Sequence, residues 1–147
     1  MKNTLSQKAM ESVAEFFYKG YNCAESTFLA FRPFVAPELS KDLVKLASPF
    51  GGGLGCAGCT CGALSGAIMI LGAARGRTNA DMSIDPPYEL SFEFHDKFKA
   101  EFGETCCRIL TRNELGSKEQ VEMCHKIITE SAGILMNLLI DKGIVNS

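Results

Sequence analysis

The chain has 147 residues, of which 46% are hydrophobic and 22% charged, and its formal net charge is −2. This length and composition predict a single globular domain over residues 1–147 and exclude a disordered chain. The small net charge, without a basic stripe, argues against binding to nucleic acid or to a membrane surface. The N-terminus lacks the apolar core of a signal peptide, and the longest apolar run, residues 67–74, is too short to span a bilayer. We therefore expect a cytoplasmic protein with no membrane insertion.

Helical periodicity covers almost the whole chain, and no segment alternates strictly enough to predict a strand. Gly20 and Gly103 are typical of helix C-termini, and Asn22 is a good N-cap. Ser117 and Gln120 form a capping-box pattern before the last helix. The sequence predicts an all-α, compact helical bundle of about six or seven helices in one domain. In chain order the predicted helices span residues 4–19, 23–35, 40–47, 61 or 62 to 74, 88–102, 104–112 and 117–142.

The fourth predicted helix is made of small and apolar residues, and we expect it at the centre of the bundle. Gly62 and Gly66 lie four residues apart, so one helix face is nearly bare. A bare face allows close packing against another helix. The pattern favours this packing interpretation; the alternative is that the bare face brings Cys61 within reach of a thiol on that neighbouring helix.

Seven cysteines are present, an odd number that cannot pair completely within one chain. A reducing cytoplasm also argues against a disulfide framework. Cys56, Cys59 and Cys61 fall within six positions of a glycine-rich run that follows the helix breaker at residues 51–53. Such loops are exposed and form poor cores, so this cluster indicates metal binding or thiol redox chemistry.

The other four cysteines, like Cys61, fall near predicted helix ends or in a short helix. Cys23 is in the first turn of its helix and Cys61 begins another, where free N–H groups and the helix dipole are expected to lower a thiol pKa. Cys124 lies one turn into the last helix. Cys106 and Cys107 point about 100° apart on a helix, so one of them faces inward, and we favour Cys107.

Four segments carry a recognisable cysteine pattern. They are "GYNCAESTFLAF" with Cys23, "GGGLGCAGCTCGALSGA" with Cys61, "CCRIL" with Cys107 and "VEMCHKI" with Cys124. From about Phe17 to Leu139 the chain resembles the small redox-active proteins named for their C-GCAxxG-C-C pattern. That family is similar in turn to the non-haem part of split-Soret cytochromes, which carries an iron–sulfur cluster.

The chain departs from this pattern in two respects. It has no CxxCH haem-attachment site, because Val121 stands where the first cysteine would be. It also adds three cysteines to the family's four: Cys56, Cys59 and Cys106.

Two functions from different classes follow, with a structural zinc site as a third. The first is electron transfer by an iron–sulfur cluster, or another metal, whose cofactor-binding residues are Cys23, Cys56, Cys59, Cys61, Cys107 and Cys124. The second is a thiol–disulfide oxidoreductase in which Cys61 attacks and Cys23, Cys56 or Cys59 resolves. The surplus of cysteines favours the first, because a dithiol couple needs only two thiols.

The histidines and the assembly are less strongly indicated. His95 is most simply a half-exposed helix residue. His125 adjoins Cys124 and is most simply an ordinary helix residue, with a role as ligand or base left open. Ten phenylalanines and an apolar last helix leave surface to cover, and the odd cysteine could be satisfied across an interface, so we expect a homodimer. We also expect a redox partner protein.

Overall fold

The structure, a computed structural model, describes residues 4–112 and 114–147. This part of the chain is helical with no named strand, which confirms the predicted all-α domain. The α-helices are α1 (Thr4–Tyr18), α2 (Cys23–Val35), α3 (Gly51–Leu54), α4 (Gly62–Arg75), α5 (Asp85–Phe102), α6 (Cys107–Thr111) and α7 (Lys118–Asp141). Two 3₁₀ helices, Lys41–Leu46 and Ser48–Phe50, connect α2 to α3.

Two helix starts differ from the sequence prediction. Helix α5 begins at Asp85 rather than at Tyr88. Pro86 and Pro87 fit inside its first turn, because those positions need no N–H donor and favour the φ angle of proline. The short helix predicted over residues 104–112 is reduced to α6, since residues 105 and 106 pair with the glycine-rich loop instead. The predicted helix over residues 40–47 is the first 3₁₀ helix.

Helix α4 lies at the centre of the bundle, as predicted, and packs against α2, α5 and α7. Its buried side chains include Ala67, Ile70 and Leu71. A Cβ atom on Gly66 would lie 2.9 Å from the carbonyl oxygen of Ala24, so only glycine permits this approach of α2. The bare face of α4 therefore serves close packing against α2.

The long helix α7 completes the bundle by packing against α1. The buried side chains of α7 include Ile128, Leu135 and Leu139, and Val13 is buried on α1. Within residues 4–112 and 114–147, no helix is both long enough and apolar enough to cross a membrane.

The glycine-rich loop runs through an unusual left-handed backbone. Although α3 is assigned there, Gly52 and Gly53 have φ values of 66° and 72°. Leu54 and Cys56 also have positive φ, at 70° and 67°, which is unfavourable for residues with a side chain. The predicted breaker at residues 51–53 is thus a left-handed turn that only a glycine-rich sequence can form at low cost.

Internal hydrogen bonds hold this turn in place. The N–H groups of Cys56 and Cys59 donate to the carbonyls of Gly51 and Gly53, at 3.2 and 3.0 Å. Asn22, the N-cap of α2, links α2 to the 3₁₀ helix that precedes the turn, because its side-chain amide donates to the Ser48 carbonyl at 3.1 Å. The loop and the start of α2 are therefore joined next to Cys23.

Candidate functional site

Cys23 and Cys61 meet where α2 and α4 begin. Cys61 is the N-cap of α4 and only 7% exposed, and Cys23 is the half-buried first residue of α2. A Cβ atom on Gly62 would overlap the sulfur of Cys23. Glycine at this position therefore lets the Cys23 sulfur lie against the first turn of α4. This bears out the second interpretation of the bare helix face, that it brings Cys61 close to a thiol on a neighbouring helix.

Cys107 reaches the same region through pairing of two backbone segments. The N–H of Cys107 donates to the carbonyl of Cys59 at 2.5 Å, and the N–H of Cys61 donates to the carbonyl of Thr105 at 2.8 Å. Thr60 and Cys106 form an isolated antiparallel bridge between these bonds. This pairing fixes the first residue of α6 beside the loop.

The orientation predicted for the two adjacent cysteines is confirmed. Cys107 is 5% exposed, whereas Cys106 is half-buried. A Cβ atom on Gly53 would lie 2.7 Å from the Cβ of Cys107, so the loop backbone packs directly on this side chain. Arg108 holds the loop from outside, with its guanidinium donating to the Ala57 carbonyl at 2.9 Å.

Cys124 is contributed by α7 and is held by Gln120, one turn earlier. The Nε2 of Gln120 donates to the Cys124 sulfur at 2.7 Å. The Oε1 of Gln120 accepts from the N–H of Gly116 at 2.9 Å, which fixes the orientation of the amide. Only half of the predicted capping box forms. The Ser117 hydroxyl accepts from the Gln120 N–H, but the Ser117 N–H donates to the Glu114 carbonyl and not to the Gln120 side chain. Gln120 is the site residue that sequence reasoning missed, although its spacing of four from Cys124 is a signal for it.

Like-charge repulsion couples the four thiols electrostatically. Burial raises the pKa of Cys61 most strongly, and Cys23, Cys107 and Cys124 raise it further by like-charge repulsion. Burial first, and then like-charge repulsion from Cys23 and Cys107, raises the pKa of Cys124 to about 12. Four separate segments (α2, the start of α4, α6 and α7) thus bring these cysteines together.

The predicted lowering of the thiol pKa at the helix starts is wrong for the reduced, metal-free protein. The expected backbone donors are present: Ala24 and Gly52 hydrogen-bond to Cys23, and Ala63 to Cys61. Burial outweighs them, and the pKa of both Cys23 and Cys61 is raised.

Cys56 and Cys59 lie at the outer edge of this cysteine cluster. Both side chains are exposed. Burial is the main cause of the raised pKa of Cys107, and repulsion from nearby Cys56 raises it further. The main chain of Cys59 pairs with Cys107. The described structure therefore forms an inner set of four thiols (Cys23, Cys61, Cys107 and Cys124) and an exposed pair beside them.

The two histidines lie in ordinary helix environments. The ring of His125 packs against Tyr18 and Phe17, with centroids 5.0 and 6.4 Å apart. His95 is half-exposed and faces Asp96 at 3.2 Å.

The inner thiols have the donor chemistry of an iron–sulfur cluster. Such clusters are held by four cysteine thiolates and are tuned by hydrogen bonds to their sulfurs. All seven cysteines are free, and the backbone at Gly53 and Gly62 packs directly against two of the inner ones. Across residues 4–112 and 114–147, no three or more His, Cys, Asp or Glu side chains are already arranged to hold a metal ion. Binding would therefore require the thiols to turn toward a common centre.

A helical bundle with four cysteines gathered at its helix ends defines a small cysteine-based protein of the redox class. The chain belongs to the family described as "Putative redox-active protein (C_GCAxxG_C_C)", whose model matches residues 21–138. It is also 29% identical over 146 residues to an uncharacterized protein of Archaeoglobus fulgidus, covering 93% of this chain and 97% of the relative. No solved structure matches the chain.

Proposed function

We propose that the protein binds an iron–sulfur cluster through Cys23, Cys61, Cys107 and Cys124 and acts in electron transfer. The observation that carries this proposal is the packing of Cys23 against Gly62, the neighbour of Cys61, and of Cys107 against Gly53 in the preceding loop. Like-charge repulsion couples Cys124 to all three thiols. Four thiolates are the ligand set that iron–sulfur clusters require, and the cluster supplies one-electron chemistry when bound.

Hydrogen-bond donors lie beside three of the four sulfurs. The backbones of Ala24, Gly52 and Ala63 hydrogen-bond to the sulfurs of Cys23 and Cys61, and the side chain of Gln120 donates to Cys124. These donors would orient the thiolates and set the reduction potential. Because Cys61 and Cys107 are nearly inaccessible, the chain would also exclude water from the inner side of the centre.

Electron transfer requires a redox partner. We propose that this partner approaches the centre at the exposed loop that carries Cys56 and Cys59. The two side chains are the solvent-facing thiols nearest the inner set. In this proposal they assist binding at the outer edge, and a redox partner protein approaches from the same side. Seven free cysteines are in keeping with a reducing compartment, so we place the protein in the cytoplasm.

A set of single substitutions tests the ligand assignment. Protein is reconstituted with iron and sulfide under anaerobic conditions, and the visible absorption and iron content of each variant are measured. Cys61→Ser should abolish or destabilise the cluster, and Cys23→Ser, Cys107→Ser and Cys124→Ser should do the same. Cys106→Ser is the matched control, since Cys106 adjoins Cys107 but is the less buried of the two, and it should retain the cluster. Equal loss in Cys106→Ser and Cys107→Ser would contradict the assignment.

The proximity of Cys23 and Cys61 favours one second candidate, a dithiol couple. In that reaction the two thiols become a disulfide, while the substrate disulfide takes up two electrons and two protons and leaves as two thiols. The raised pKa and burial of Cys61 make it a poor attacking thiolate, which is why the cluster is preferred. Metal-free protein that reduces a model disulfide, and loses this activity with Cys61→Ser, would support the couple instead.

The same reconstitution separates a structural zinc site from both alternatives. Zinc would bind in a one-to-one ratio without sulfide and without visible absorption, since Zn²⁺ has no redox chemistry.

A further inference from the structure

The outer face of α5 carries two large aromatic side chains in contact with solvent. Tyr88 is 67% exposed and Phe92 is 69% exposed. They border a groove of about 900 Å³ between α4 and α5. Contiguous exposed apolar surface of this kind marks an interaction site. The α4 side of the groove is formed by Leu64, Ile68 and Met69, and Phe50 lines it as well.

Two oppositely charged residues lie at equal distances from Phe92 along α5. Asp85 lies seven residues before Phe92 and Lys99 seven residues after it. Seven residues are close to two helical turns, so all three project from the same side of α5. Tyr88 and Asp96 lie four residues before and after Phe92, on the same side and both exposed.

This arrangement is complementary to itself when two α5 helices run antiparallel. A two-fold axis at Phe92 brings Asp85 opposite Lys99 of the partner subunit and Tyr88 opposite Asp96 of the partner subunit. The phenol can then donate a hydrogen bond to the carboxylate, and each aspartate–lysine pair occurs twice. A parallel pairing would instead place Asp85 against the partner's Asp85, which is unfavourable.

We propose that a second copy of this chain covers the face, with the two α5 helices antiparallel in a symmetric dimer. The aromatic side chains of each copy would then lie over the α4–α5 groove of the other or against its Phe92. The proposal uses charge and apolar surface only and does not depend on whether a cluster is bound.

The dimer would also affect the surroundings of the cysteine loop. Thr60, which lies between Cys59 and Cys61, lines the same groove. A second copy seated there would cover one edge of the loop. The dimer would then carry two cysteine sites, one from each copy.

Light scattering on reduced, metal-free protein at micromolar concentration tests the proposal. The wild type should have twice the monomer mass of 15.9 kDa. Phe92→Glu should be monomeric, because it places two carboxylates together on the axis. Leu46→Glu is the matched control, since Leu46 is also exposed, at 55%, but lies on the first 3₁₀ helix, and this variant should remain dimeric. Circular dichroism verifies that each variant is folded.

A charge exchange tests the antiparallel register separately. Asp85→Lys alone should weaken the dimer, and the double variant Asp85→Lys/Lys99→Asp should restore it. A monomeric wild type would overturn the proposal and show that the groove has a different occupant. A dimer that Phe92→Glu leaves intact, or a double variant no better than Asp85→Lys, would overturn the proposed face or register.

Discussion

At the scale of single residues, the hydrogen bond from Gln120 to Cys124 has the most direct chemical consequence. It joins the cap of α7 to one of the four inner thiols, because the same amide also accepts from the Gly116 N–H. Partners of this kind orient ligands and tune a centre without touching the metal.

Gln120→Leu should therefore weaken the reconstituted cluster and lower its reduction potential. A lost donor destabilises the more negative, reduced state, and losses of roughly 10–100-fold in metal affinity are typical of such partners. Protein-film voltammetry and an iron-chelator competition measure the two effects. Gln7→Leu on α1 is the matched control, since the Gln7 side chain lies far from the cysteines in the sequence and donates to exposed Glu11. An unchanged potential and affinity in Gln120→Leu would show that the bond has no part in cluster binding.

The buried thiols predict how stability depends on pH. The pKa of Cys61 is raised above its ordinary value of 9.0 by burial first, so the folded state holds that proton more firmly than the unfolded state. This contribution is complete below pH 9.0 and is lost as the pH rises further, by at most about 1.4 kcal/mol per pH unit for one group.

Urea unfolding of reduced, metal-free protein measures this dependence. The free energy of unfolding should fall as the pH rises above the ordinary thiol pKa, and Cys61→Ala should flatten the decline. The exposed Cys59→Ala variant provides the control and should keep the slope of the wild type. A profile that is equally steep in Cys61→Ala would show that other groups cause the decline.

At the scale of elements, the packing of α4 against α2 determines whether Cys23 and Cys61 can meet. The contact depends on glycine, because a Cβ atom on Gly66 would come within 3.0 Å of the Ala24 Cα atom as well as its carbonyl oxygen. Backbone atoms cannot rotate away as a flexible side chain could. The helices would have to separate at the end that carries the two thiols.

Gly66→Ala should destabilise the protein by about 1–3 kcal/mol, which is the usual cost of overpacking a core. Gly72→Ala, in the same helix, meets nothing within 4 Å and should stabilise the protein by roughly 0.5–1 kcal/mol through its better helix propensity. Thermal or urea unfolding of the two variants gives the comparison. Opposite signs are expected, and a neutral Gly66→Ala would mean that α2 and α4 are not in such close contact.

The contact between α2 and α4 was well predicted because each of its sequence signals is local. The Asn22 cap, the start of α4 and the small-residue face are all visible in short stretches, and each is found in the structure. The pairing of the loop with residues 105–108 was not predictable, because it joins segments far apart in the chain. The left-handed turn at Gly52 was predicted only as a break, since glycine permits many conformations and the tertiary contacts select one.

At the scale of the whole molecule, the bundle is arranged so that four chain segments meet at one place. Helices α2 and α4 begin there, α6 is held there by the loop, and α7 passes with its second turn. The sequence identified the four inner cysteines through its family resemblance, but the raised thiol pKa could not be foreseen. Helix-start effects are local, whereas burial depends on every element packed around the site.

The iron and acid-labile sulfide content of anaerobically reconstituted wild-type protein tests the central claim most directly. The account predicts iron and sulfide in equal amounts, bound stoichiometrically to the chain, with visible absorption that bleaches on reduction. Protein that binds no iron and instead cycles between dithiol and disulfide would contradict the cluster, as would protein that takes up only zinc.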